Sequence, residues 1–208
     1  QNPAIGVKKF KEQSRDRFLQ PDELPRFFAA LANEPNEAAR DFFMISLLTG
    51  ARKSNTLAMC WRDINFAGAT WRIEQTKNGD AQTIHLPKGA MAILTDRKLA
   101  SESPWVFEGS GKSGHLADPK KAWERILTEA GIENLRIHDL RRTLGSYQAA
   151  TGANGYIIGK SLGHRSQQST AIYARLNLDP VRDSVNKATE AMFGYSDDAV
   201  KNGETDEP

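Results

Sequence analysis

Between Asp63 and Leu86 the apolar residues of this chain alternate, whereas on both sides of that stretch they recur every three to four positions. Three runs carry the alternation: Asp63-Ile64-Asn65-Phe66, Thr70-Trp71-Arg72-Ile73 and Gln82-Thr83-Ile84-His85-Leu86. Turn residues at Ala67-Gly68 and Asn78-Gly79-Asp80 separate them, the pattern of short antiparallel strands. Helical spacing surrounds the sheet. Asp22 stands as cap before Leu24, Phe27, Phe28 and Leu31, and Asn36 before Glu37 to Leu48, with Gly50 as its stop. Further helices are expected over 53–58, 89–97, 119–130, 138–150, 154–161, 167–173 and 180–192, the last capped by Asp179 and opened by Pro180. The fold class is therefore α+β, mostly α-helical, with a small antiparallel sheet of about three strands inserted early.

A chain of 208 residues fits one such domain. Its polar, basic start, with Lys8, Lys9, Lys11, Arg15 and Arg17, reads as a linker or arm over residues 1–20. The domain proper is expected over 21–194, followed by an acidic, disordered tail over 195–208. From Asp197 onward five acids stand against one base, a net of −4, which leaves +6 on residues 1–196 of a chain whose total is +2. That distribution permits a polyanionic partner. No apolar run approaches the roughly 20 residues that span a bilayer, so no membrane partner is expected. The single cysteine, Cys60, rules out an intramolecular disulfide and points to a reducing, cytoplasmic compartment.

Several familiar chemistries are poorly served. Glu108 to Gly114 looks like a phosphate loop, but the P-loop pattern needs glycine five residues before Gly111, and Val106 stands there. A flexible surface loop is the simpler reading. The four histidines, His85, His115, His138 and His164, lack metal-binding spacing, and no G-x-S-x-G elbow is present. The chemistry expected of this chain uses neither metal nor nucleotide cofactor.

Three segments, by contrast, suit a phosphate. Arg52 lies in Thr49-Gly50-Ala51-Arg52 between two helices, Lys77 beside a hairpin tip, and His138 and Arg141 three apart on one helix face. Leu162-Gly163-His164 places a histidine after a helix stop, and Tyr173 follows nine residues later. Phosphoryl transfer without a metal needs fixed cations around the non-bridging oxygens. Arginine supplies them in a planar fork, a tyrosine phenol can be the nucleophile, and histidine and lysine can move protons. Each residue alone has a plainer role: helix capping, turn formation, an ion pair (Arg142) or ring packing. Their order and joint spacing carry the weight.

That order resembles the catalytic domain of tyrosine recombinases, the phage integrase family, over roughly residues 15 to 193. The family pattern is Thr-Gly-x-Arg, a hairpin lysine, His-x-x-Arg, Leu-Gly-His and a tyrosine nine residues on. The resemblance implies a site-specific DNA recombinase or integrase that cleaves and rejoins strands through a covalent 3′-phosphotyrosine. Tyr173 would be the nucleophile, Arg52 and Arg141 the phosphate clamp, Lys77 the acid for the leaving 5′-oxygen, His138 the aid to proton removal and His164 a phosphate donor. It also implies double-stranded DNA as substrate, four protomers exchanging strands on it, and a monomer or weak oligomer when free. Phage integration, mobile-element transfer and chromosome resolution all use this chemistry. Two departures stand out. Many members carry glutamate where this chain has Asn55, and full recombinases add an N-terminal helical domain. A type IB topoisomerase-like nicking enzyme, or a non-catalytic DNA-binding module of the same fold, are the alternatives. The polar stretch Ser166-Gln167-Gln168-Ser169-Thr170 leads to the expectation that the Tyr173 segment docks only on DNA. The helix over 180–192 is expected to pack either on its own domain or on a neighbouring protomer.

Overall fold

A computed structural model describes residues 15–74, 81–164, 170, 173 and 185–190. Seven α-helices and three strands among these residues build the domain, with a short 3-10 turn at Trp61–Asp63. The helices are α1 Glu23–Asn33, α2 Glu37–Thr49, α3 Lys53–Leu57, α4 Lys88–Leu99, α5 Lys120–Ala130, α6 Ile137–Ala150 and α7 Gly155–Leu162. The strands are β1 Ile64–Asn65, β2 Thr70–Ile73 and β3 Gln82–His85, paired antiparallel in the order β1-β2-β3. This is the mostly helical domain with a small early sheet that the alternating stretch implies.

The sheet's register follows from its buried face. Trp71 pairs with Ile64 on one side and Ile84 on the other, and all three are buried. A one-residue slip would turn this set to solvent. The β1–β2 turn is closed by Asn65, whose Oδ1 accepts from the Gly68 N–H at 2.9 Å. The left-handed backbone there falls on Ala69 (φ 47°), not on Gly68, the residue that the turn reading singled out.

Helix α2 is the centre of the domain. Phe42, Phe43 and Ile45 are fully buried, and each such side chain contributes roughly 1.5–3 kcal/mol. Asn36 caps its start by accepting the Ala39 N–H at 3.0 Å. Aromatic rings tie α1, α2 and α5 together: Phe27 meets Trp123 edge-on and Phe43 meets it at a tilt, at centroid separations of 5.9 and 4.9 Å. Asp22 does not cap α1 with its side chain. Glu23 does that work instead, accepting the Gln20 N–H at 2.8 Å while pairing with Arg17.

Residues 15–20 run across α6. Leu19 is fully buried, and its N–H donates to Thr143 Oγ1 at 3.0 Å. Arg15 donates to the buried carboxylate of Asp139 and to Asn134 Oδ1. At the other end, residues 185–190 are helical, yet Val185 and Ala188 are exposed. The described part of the expected 180–192 helix thus leaves its apolar positions uncovered by its own domain. Asp179, Pro180, Val181, Met192 and the acidic tail lie outside the described residues. No helix among the described residues is long and apolar enough to cross a membrane.

Candidate active site

Two helix ends and one helix middle build the site. Helix α2 stops at Gly50, whose left-handed backbone (φ 60°) lets its N–H bond back to Ser46 O at 3.0 Å. A Cβ there would stand 2.6 Å from Leu162 Cδ2, so glycine is needed for space as well as for φ. The chain then extends through Arg52, the residue that opens α3. Helix α7 stops in the same way at Gly163 (φ 64°). Gly163 N–H bonds to Lys160 O, and His164 N–H bonds to Gly159 O at 2.9 Å. This double closure is a Schellman motif. It explains the Leu-Gly-His order: Leu162 is buried, Gly163 turns the chain, and His164 is held by its own backbone.

Arg141 joins these two ends. It lies inside the domain on α6, 5% exposed. Its Nη1 donates to Gly50 O at 2.6 Å and its Nη2 to Leu162 O. Both acceptors are helix C-terminal carbonyls, which have no partner within their own helix and carry the negative end of its dipole. The guanidinium is therefore fixed by two of its five N–H groups, and no bond from the others to the described residues competes with a ligand. Burial, and after it the charge of Arg52, lowers its pKa to about 10, while Tyr173 opposes that shift. It stays cationic at neutral pH.

Arg52 faces the same space without comparable anchoring. Its Nη1 is buried and has no hydrogen-bond partner among the described residues. Two like charges facing one space repel each other and create a strong field for an anion. The two histidines register that field. His164 is pushed down to about 4 by burial, then by Arg141, Arg52 and His138. His138, at the rim of the cleft, is lowered by partial desolvation and then by Arg141 and Arg142. Both imidazoles are thus neutral at pH 7. Nδ1 of His164 shares a hydrogen bond of 3.0 Å with Thr170 Oγ1, leaving Nε2 for a ligand.

Tyr173 completes the group. It is 2% exposed, clustered with Ile158 and Leu162, and its ring lies parallel to that of His164 at 6.1 Å. Burial raises the phenol's pKa, and Arg141 and Arg142 pull against that rise. Its ring lies in an apolar notch formed by α6 and α7, against Gly145, Ile158 and Leu162.

Arg52, His138, Arg141, His164 and Tyr173 therefore converge. Lys77 lies outside the described residues. The base of its hairpin is nonetheless tied to the site, since Gln82 at the start of β3 donates from Nε2 to Ser161 O at 3.1 Å. Its carboxamide leaves no room for a Cβ on Gly163. Arg142, read from sequence as an ion-pair residue, pairs with Asp139 at 3.0 Å. Sequence reasoning passed over Asp139, Gly145, Gln82 and Thr170. Only Gly145 carried a readable signal, a lone glycine inside a helical run. Glu108 to Gly114, the look-alike phosphate loop, closes on itself through Gly109 N–H to Gly114 O at 3.1 Å. Among the described residues no three His, Cys, Asp or Glu side chains gather as a metal site.

Comparison with known proteins bears on the same residues. The phage integrase family matches residues 17–179. The chain is 27% identical to the prophage integrase IntF of Escherichia coli K12, over 90% of its own length and 41% of the relative. It is 28% identical to the integrase of Salmonella phage P22, over 93% of this chain and 52% of that one. With the tyrosine recombinase XerA of Pyrococcus furiosus the identity is 31%, over 74% of this chain and 56% of the relative. The chain thus spans about half the length of the curated relatives it matches. Among solved structures, the XerH site-specific recombinase in its post-cleavage difH complex aligns with a TM-score of 0.68 at 18% identity, covering 83% of this chain and 53% of that one. The catalytic domain of bacteriophage HP1 integrase aligns at 0.62 with 22% identity, over 81% of this chain and 93% of that one. With the family matched from residue 17 to residue 179, and the fold shared with an integrase catalytic domain, this chain belongs to the phage integrase family and has the catalytic-domain architecture of a tyrosine recombinase.

Proposed function

We propose that the chain is the catalytic part of a site-specific DNA recombinase that cuts and rejoins strands through a 3′-phosphotyrosine, without metal or ATP. The observation that carries this reading is a buried Arg52 Nη1 with no partner among the described residues, beside a doubly anchored Arg141 whose charge reaches a buried tyrosine. Asp139 offsets Arg142, and the two histidines are neutral. Arg52 and Arg141 therefore face the site with no carboxylate paired to either among the described residues. A phosphodiester brings one negative charge, and its five-coordinate transition state approaches two. Such a site favours the transition state over the ground state.

In the proposed cycle Tyr173 Oη attacks the scissile phosphorus. The P–O5′ bond breaks, and a 3′-phosphotyrosyl ester and a 5′-hydroxyl result. His138, neutral at pH 7, assists removal of the phenolic proton, and His164 donates from Nε2 to a non-bridging oxygen. Lys77 delivers a proton to the leaving 5′-oxygen. A 5′-hydroxyl from a second duplex then attacks the ester and restores a phosphodiester, so the bond count is unchanged and no external energy is used. Double-stranded DNA is the substrate, a tetramer on DNA the working assembly, a monomer or weak oligomer the free form, and the cytoplasm the compartment. DNA-bound XerH and Tn1549 integrase among the structural neighbours support the DNA reading.

The test is covalent capture. The protein is mixed, in chelator and without nucleotide, with nicked duplexes whose core sequence is randomised. A band that survives denaturation, with the released strand ending in a 5′-hydroxyl, is expected. Its persistence in Tyr173→Phe would overturn the assignment.

A further inference from the structure

Gly145 occupies the interior of α6, where glycine weakens a helix relative to alanine. No left-handed turn requires it, since its backbone is ordinary helix. Space does. A Cβ at this position would stand 2.6 Å from both Cε1 and Cζ of Tyr173, and 3.0 Å from Leu162 Cδ1. Cζ is the carbon that bears the phenolic oxygen, so the reactive edge of the ring rests on the helix backbone itself. Gly145 also lies four residues after Arg141, which puts the two on one face of α6, a turn apart. The bare patch of helix and the anchored guanidinium are thus parts of one rigid element.

We propose that Gly145 is a positioning residue: the side-chain-free surface of α6 is the seat of the Tyr173 ring and fixes the phenol one helical turn from Arg141. This rests on the reading of Tyr173 as nucleophile and adds how the nucleophile is aimed. Any side chain at 145 displaces the ring by about 1 Å, the gap between 2.6 Å and ordinary carbon contact. A misplacement of that size lowers a reaction rate about a hundredfold.

The experiment compares wild type, Gly145→Ala, Tyr173→Ala and the double variant. Covalent capture with the randomised nicked duplexes should fall about a hundredfold in Gly145→Ala, while non-covalent retention of the same DNA stays within about twofold, because the charges that hold phosphate are untouched. Thermal melting supplies a readout that a purely structural glycine would not move. Gly145→Ala should lower Tm when Tyr173 is present and raise it in Tyr173→Ala, where the seat is vacant and alanine is the better helix former. Capture at the wild-type rate in Gly145→Ala, or a Tm shift of the same sign in both backgrounds, would overturn the proposal. If wild type itself yields no Tyr173-dependent adduct, the nucleophile reading fails, and the melting pair still decides whether the seat exists. Should Gly145→Ala not fold, recovery of folding in the double variant supports the seat and its absence overturns it.

Discussion

Arg52 and Arg141 are the same residue type with opposite energetic roles. Arg141 bonds to two helix ends and so holds the domain together as well as the site. Arg52 has a buried N–H with no partner among the described residues, beside another cation. Removing Arg52 should therefore separate function from stability. Arg52→Ala is expected to reduce covalent capture by at least about a hundredfold, the usual loss for one transition-state donor. Its thermal stability should hold or rise, by up to about 1 kcal/mol, as happens when a strained functional group is deleted. Parallel melting and capture assays check both halves. His164 gives a pH signature. An ordinary histidine takes its proton near pH 6.5, and His164 only near pH 4. Between those values the unfolded chain binds a proton that the folded one refuses, so stability is full above about pH 6.5 and falls as pH drops toward 4. His138, also lowered, contributes in the same direction. Urea midpoints measured across that window should decline in wild type and flatten in His164→Gln. Added phosphate should weaken the decline, because an anion between Arg52 and Arg141 favours the protonated ring.

At the level of elements, α6 is the part on which the arm, the site and the nucleophile's seat all converge. Asp139 sits in its first turn with a side chain 1% exposed. It accepts from Arg15, from Arg142 and from the backbone N–H of Arg136 at 2.8 Å. That carboxylate pins residues 15–20 to the helix bearing His138 and Arg141. Asp139→Ala leaves two half-buried guanidiniums unpaired and should cost about 3 kcal/mol. Chemical denaturation measures the loss, and Arg15→Ala should show a smaller one, since the Asp139–Arg142 pair survives it. Helix boundaries followed from periodicity and stops because Asn36, Gly50 and Gly163 act through local backbone geometry, which sequence carries directly. Ala69 shows the limit. Its left-handed backbone sits one residue past the glycine that advertised the turn, because Asn65 and not Gly68 sets the turn's closure. Asp139 and Gln82 were illegible for a related reason, and Gly145, visible as a lone glycine in a helical run, hid its partner for the same one: each acts on a residue far away in sequence, and a pattern of neighbours contains no such pairing.

Across the whole molecule, the separate motifs meet because α2 and α7 end at one point. Their final carbonyls create a site of negative partial charge inside the domain, and a single arginine from α6 answers it. The order Thr-Gly-x-Arg, His-x-x-Arg, Leu-Gly-His is thus the linear trace of two helix stops and the residue that bridges them. Tyr173, the proposed nucleophile, then needs only a seat next to that bridge, which the notch of Gly145, Ile158 and Leu162 supplies. The most direct measurement of this account is to locate the DNA on the protein. The covalent adduct is purified under denaturing conditions, digested with nuclease and protease, and mapped by mass spectrometry. The account predicts a residual 3′-nucleotide phosphate on Tyr173 and nowhere else. Nucleotide attached to another residue, or no attachment on DNA that the protein demonstrably cleaves, would contradict it.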